Sequence, residues 1–272
     1  MLFNLLGGFS SKTDFIVSLI TLLLRIPAVL LALSLHESAH GYIANKMGDP
    51  TAKNLGRITI NPAKHLDPIG TISMLLFGIG WAKPVPVNSR NFKNPRKGMA
   101  CTAAAGPLVN LLLGFLSLAG LIFGTKIFLS ANSDNMQLQA LFSFFKAEYG
   151  SSYTSLLYVF LLNVVLNLSS GLKIVALLLY FLYISAMLNF MLAIFNLIPL
   201  PPFDGSRIAY VFLPAKYYFG VMKYERYIMI AFLIFFWFGS SFFSGAFEWL
   251  VNLLFRTMGW ILWIRPSVST SP

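Results

Sequence analysis

Charge and cysteine are both scarce in this 272-residue chain. Charged residues make up 11% of it, less than half of the roughly 25% usual in soluble domains. Hydrophobic residues make up 57%, and the mean hydropathy is +0.73. This balance excludes a soluble globular domain and leaves an integral membrane protein. Acid is scarcer than base, with 9 Asp and Glu against 20 Lys and Arg, for a net charge of +11. In a membrane protein that excess needs no nucleic acid, and none is expected as a partner. Lys and Arg gather in cytoplasmic loops, orient the spans and favour anionic headgroups. The lone cysteine, Cys101, excludes an internal disulfide framework and a multi-cysteine zinc site. Any bound metal must therefore be held by His and carboxylate. The stretch Met1 to Ser11 lacks a basic n-region. Cleavage after the first apolar run would fall beside the first histidine, so that run is expected to be retained rather than removed as a signal peptide.

What is present is concentrated in His36-Glu37-Ser38-Ala39-His40, an HExxH motif inside an apolar run. Residues four apart share a helix face, so His36 and His40 can hold one metal ion together. Glu37 lies beside that face, where it can work on a water at the metal. With 3 His and 4 Glu in the chain, chance alone would give this motif in roughly one such sequence in two thousand. Three ionisable groups within five residues are also expensive in a bilayer and mark a functional site.

The first apolar segment covers 15–44, interrupted by Arg25 and Pro27. It exceeds the roughly 20 residues needed to span. We expect 26–46 to be the span, with Pro27 in its first turn and 14–24 as a short interfacial lead-in helix. The competing reading is one long kinked helix. Residues 47–98 are rich in Pro, Gly, Asn and base, with Lys53, Arg57, Lys64, Lys83, Arg90, Lys93, Arg96 and Lys97 against Asp49 and Asp67. This asymmetry places the loop in the cytoplasm. Within it, 57–60 and 85–88 read as short strands. Between them, 69–79 is too short to span and reads as a re-entrant or interfacial hairpin. A second span is expected over 99–128, then a polar stretch over 130–153 and a short apolar one over 154–168. A strong span follows over 174–198, and two more over 225–239 and 246–263. The fold class is therefore an all-α polytopic membrane protein of about five to six transmembrane helices, with a small membrane-edge β-hairpin region. It reads as a single membrane-embedded domain over 1–272, with a catalytic core at 26–213, the cytoplasmic loop at 47–98 and C-terminal helices at 214–272. No appended soluble domain is expected.

Two histidines do not complete a catalytic zinc site, which usually has three protein ligands and a water. The metzincin pattern places a third His where Lys46 stands. Zincins with a later Glu ligand would find none before Glu148. His65, the remaining histidine, reads as structural. The aspartates are left. Asp204 is favoured because it follows a full span within Pro199-Leu200-Pro201-Pro202-Phe203-Asp204-Gly205, a turn that fixes its direction. Asp67 is the alternative, and an ordinary cap is the alternative role for Asp204. Membrane parity favours Asp204. If 154–168, only 15 residues, does not cross, the 174–198 span returns Asp204 to the side of the motif. Lys216, Lys223 and Arg226 agree with a cytoplasmic location there.

These residues together resemble the site-2 protease family of intramembrane zinc metalloproteases. The resemblance rests on the HExxH in a membrane helix, on Gly106-Pro107-Leu108-Val109-Asn110, and on Asn196-Leu197-Ile198-Pro199 leading to Asp204-Gly205. Residues 61–68 and 81–88 also resemble a short bacterial form without PDZ or CBS domains. The likeness covers about 26–213, and it departs from the pattern at Ser38, where a bulky residue is usual; we expect that change to affect packing. The resemblance implies one Zn2+ per chain held by His36, His40 and Asp204, with Glu37 as general base. It implies that Asn110 and Asn196 line the site as polar donors. It further implies a transmembrane protein or peptide substrate, and a multi-pass protein of the bacterial cell membrane with its active site toward the cytoplasm. The alternative is a metal-binding membrane transporter or an inactive protease-like binding protein. A transporter should carry further intramembrane polar groups, and Asn163, Asn167, Asn189 and Glu248 are few for a path.

Overall fold

The computed structural model describes residues 12–70, 82–149, 161–166 and 170–212, together with single positions between 224 and 257. The chain is mostly helical. The helices are α1 (Lys12–Met47), α2 (Thr51–Asn54), α3 (Pro95–Ala131), α4 (Met136–Tyr149), α5 (Ser170–Asn196) and α6 (Asp204–Ala209). Residues 161–166 are also helical. Short 3₁₀ turns occupy Pro62–Lys64 and Ser89–Asn91. Three segments, Phe15–Met47, Pro95–Ala131 and Gly171–Asn196, are long and apolar enough to cross a membrane. On α3, Leu108, Leu112 and Leu116 recur at a spacing of four and are all more than half exposed. A row of exposed leucine on one helix face suits a hydrocarbon solvent. The expected hairpin over 69–79 and the expected spans over 225–239 and 246–263 lie largely or wholly outside the described residues, as does most of 154–168.

The first span corrects one expectation. Residues 12–47 form a single helix with Pro27 inside it, not an interfacial helix followed by a span at 26–46. Proline removes one backbone hydrogen bond and crowds the preceding turn. In a membrane helix that loss is tolerated, because neighbours and local adjustment re-satisfy the freed carbonyl.

The expected strand pair is a second correction. Residues 57–60 and 85–88 form no ladder, and the pairing among the described residues is one antiparallel bridge, Leu66 to Ala82. The backbone groups that a ladder would use are taken by other partners. In the first segment the Thr59 N–H goes to the Ser38 hydroxyl (3.1 Å) and the Thr59 carbonyl faces His65 Nε2 (2.8 Å). The Val85 N–H goes to the Glu37 carboxylate. Pro84 and Pro86 have no N–H to offer.

The chain divides into two compact units. One comprises residues 1–114 and 188–238, the other 115–187 and 239–272. The first contains the motif helix, the basic loop, the start of α3, the end of α5, and α6. Its buried apolar residues are mostly small: Ala28, Ala32 and Ala44 on α1, Ala103 and Ala105 on α3, and Ala193 on α5. Small side chains let helix backbones come close where lipid offers no hydrophobic drive to pack. In the second unit, Leu118, Leu121, Leu179 and Tyr180 are buried, and Ser117 hydrogen-bonds to Ser185 at 3.0 Å.

The loop that leaves α1 is fastened by a buried acid. Asp49 accepts from the Thr51 N–H (3.1 Å) and hydroxyl, from the Asn88 N–H (2.7 Å) and from the Asn91 amide (2.7 Å). Burial alone would raise its pKa; these hydrogen bonds outweigh that and hold it below the ordinary carboxylate value. Asp49 thus joins the end of α1 to the turn before α3.

Candidate metal centre

Helical periodicity places His36 and His40 on one face of α1, with both rings buried. Their centroids are 4.6 Å apart and the rings are edge-on at 88°. Each ring is oriented through its far nitrogen. His36 Nδ1 donates to Asn110 Oδ1 at 2.5 Å, and His40 Nδ1 donates to the Thr102 carbonyl at 2.7 Å. Both partners are acceptors, so the proton sits on Nδ1 and each Nε2 presents a lone pair. The two Nε2 atoms lie 3.0 Å apart.

Asp204 faces them. Its Oδ2 is 3.2 Å from His36 Nε2 and 3.2 Å from His40 Nε2. The carboxylate opens α6, directly after the proline-rich turn. Gly205 makes that position reachable: a Cβ there would stand 2.5 Å from the Ile198 carbonyl oxygen, so a larger residue would push α6 and its aspartate away from the end of α5. Burial would raise the Asp204 pKa. The hydrogen bonds and charges of His36 and His40 prevail and hold it well below the usual carboxylate range.

A metal ion fits this donor set. His36, His40 and Asp204 each offer one ligand atom to a common point. Three electron-rich atoms 3.0–3.2 Å apart repel one another unless a cation or proton lies between them. In a tetrahedral zinc site with bonds near 2.0–2.1 Å, neighbouring ligands are about 3.3 Å apart, so the cluster matches to within a few tenths of an ångström. The remaining wall is α3 at Gly106. A Cβ there would lie 2.5 Å from His40 Nε2 and 2.6 Å from His36 Nε2. Only glycine leaves the two imidazoles room.

The other sequence candidates fall elsewhere. Asn110 is fully buried, and its amide is committed: Oδ1 to His36, and Nδ2 to Asn189 Oδ1 at 2.7 Å. It orients a histidine and ties α3 to α5. Asn196 donates to the Leu192 carbonyl of its own helix at 2.9 Å, closing the end of α5. Asp67 accepts from the Gly70 N–H at 2.8 Å in a local turn and does not join the cluster. His65 is structural: its Nε2 faces the Thr59 carbonyl at 2.8 Å and lies 3.4 Å from the Ser38 hydroxyl.

Three contributors lay outside the sequence reading. The Val85 N–H holds Glu37 Oε2 at 2.8 Å, so the half-buried Glu37 carboxylate is oriented by the loop. The Thr102 carbonyl orients His40. Ser38, noted only as a departure, hydrogen-bonds to the Thr59 carbonyl and accepts from the Thr59 N–H at 3.1 Å, which clips the motif helix to residues 57–65. Backbone partners leave no mark in a sequence. For Ser38 the available signal was a small hydroxyl residue within the motif.

Comparison with known proteins agrees with this geometry. The sequence pattern of Peptidase family M50 matches residues 25–238. The protein named "Putative zinc metalloprotease YwhC" of Bacillus subtilis (strain 168) is 36% identical over 208 residues, which is 76% of this chain and 77% of that protein. No solved structure matches the chain. A match over most of the chain, with the motif histidines and Asp204 gathered at one point, settles the family: this chain belongs to peptidase family M50, the site-2 protease family of zinc metalloproteases.

Proposed function

We propose that the protein is an intramembrane protease that hydrolyses peptide bonds in or near transmembrane segments of membrane proteins. The observation that carries this reading is the meeting of His36, His40 and Asp204 at 3.0–3.2 Å, with both histidines on a helix long and apolar enough to span. In it, His36, His40 and Asp204 hold one zinc ion. When bound there, zinc lowers the pKa of water toward about 7 and polarises the scissile carbonyl.

The chain's own residues do the rest. The Glu37 carboxylate takes the proton from the attacking water and passes one to the leaving amine. The Val85 N–H keeps Glu37 turned toward the loop. Asn110 and the Thr102 carbonyl hold the imidazoles in the tautomer that leaves Nε2 free. Burial of both histidines keeps bulk water from competing for the site. The chain acts as one domain of five to six spans in the bacterial cell membrane. Its basic loop lies on the cytoplasmic side and receives the substrate.

The test pairs zinc content with cleavage of a reporter transmembrane substrate in proteoliposomes. Glu37→Gln is expected to keep zinc and lose cleavage, and Asp204→Asn to lose both. Cleavage by Glu37→Gln at the wild-type rate would overturn the mechanism. Zinc loss in Asp67→Asn with zinc retained in Asp204→Asn would overturn the ligand set.

A further inference from the structure

Away from the metal centre, the basic loop encloses a recess of about 490 Å³. Arg57, Lys64 and Lys83 line it together with Leu55, Leu66 and Pro86, and among the described residues no carboxylate does. Three cations around one space, with no acid to balance them, favour an anionic occupant. Arg57 is 92% buried, at 8% exposure. One end of its guanidinium is spent on the Lys83 and Pro84 carbonyls, and its enclosed Nε has no hydrogen-bond partner among the described residues. Its charge adds to that of the two exposed lysines around the recess.

The surroundings of the recess narrow the class of ligand. Leu55, Ile60 and Ile69, on the same loop, are 59%, 65% and 70% exposed. The loop lies between the end of α1 at Met47 and the start of α3 at Pro95, two helices fit to span. Exposed apolar side chains beside clustered base, at the ends of spans, match a lipid: acyl chains on the leucine and isoleucines, and a charged head in the recess. A free anion or an acidic peptide would leave those apolar residues in water.

We propose that this recess binds the phosphate head of an anionic phospholipid, held by the ammonium groups of Lys64 and Lys83 beside the Arg57 guanidinium. The bound lipid would contact the same 83–86 segment that orients Glu37, and so would steady it.

The experiment titrates the purified full chain with phosphatidylglycerol and with phosphatidylcholine, and reads bound lipid by native mass spectrometry. One phosphatidylglycerol is expected to bind in preference. The double variant Lys64→Gln/Lys83→Gln is expected to weaken it about thirtyfold, at about fivefold per lysine. Lys93→Gln/Arg96→Gln removes the same charge from exposed positions that do not line the recess, and it should change binding by less than about twofold. These lysines are exposed, so neither double variant threatens the fold, and circular dichroism checks this. An equal loss in both doubles would reduce the effect to a diffuse field and overturn the site. No preference for phosphatidylglycerol would also overturn it. If inorganic phosphate or an acidic peptide displaced the lipid at equal affinity, the recess would belong to that ligand instead.

Discussion

Replacing Gly106 by alanine perturbs the metal centre without touching a ligand. The added methyl carbon would stand 2.5 Å from both His36 Cε1 and His40 Nε2. Ordinary van der Waals contact begins at 3.4 Å, so the rings or α3 must move by roughly 1 Å, several times the ~0.2 Å latitude of metal–ligand distances. Neither ring can retreat freely, because Asn110 and Thr102 hold their far nitrogens. The overpacking should destabilise the protein by about 1–3 kcal/mol. Zinc affinity should fall by at least the ~10–100-fold seen when ligand orientation is lost. The assay is zinc per chain by mass spectrometry after equilibration in zinc buffers, together with thermal unfolding of the apo protein. Wild-type zinc affinity in Gly106→Ala, with unchanged unfolding, would refute the close approach of α3 to the histidines and the cradle built on it.

Three further predictions follow from the same geometry. Asn110→Ala should lower zinc affinity about 10–100-fold, with His36 free to change tautomer; competition with a zinc chelator measures this. Val85→Pro deletes the N–H that orients Glu37; zinc should be retained while kcat/KM falls about tenfold or more, and a fall in zinc content alone would point to a structural role. Asp49→Ala removes the acid that fastens α1 to the turn before α3 and should destabilise the chain by about 2 kcal/mol at neutral pH. The folded pKa of Asp49 is depressed, so its contribution is fully present above the unfolded value of about 3.9 and is lost as pH falls through the folded value. The difference in unfolding between wild type and variant should therefore shrink toward acid pH.

Much of the site was legible because its signals are local. The spacing of His36 and His40 is a property of one helix, and the scarcity of His and Glu left few ways to complete the ligand set. Asp204 lies far along the chain from the motif; its place in a proline-rich turn after a full span was the readable sign, and the structure brings it to His36 and His40. The failures share a different cause. The strands at 57–60 and 85–88 have the right residues, but Ser38, His65 and Glu37 claim backbone groups of Thr59 and Val85 that pairing needs. Asn110 read as a polar donor lining the site, and its amide meets Asn189 and His36. Side-chain type was readable, but the choice among partners was made by packing. Pro27 likewise read as a helix start by its local rule, and the structure continues the helix through it.

The segment 83–86 has two backbone N–H groups, because Pro84 and Pro86 have none. The Lys83 N–H is bonded to the His65 carbonyl and the Val85 N–H to Glu37. An extended peptide adding itself along this segment would find one donor within its reach that is held by a side chain rather than by backbone, and taking it would release the Glu37 carboxylate. A strand added along the segment therefore leaves Glu37 oriented only if it pairs without using the Val85 N–H.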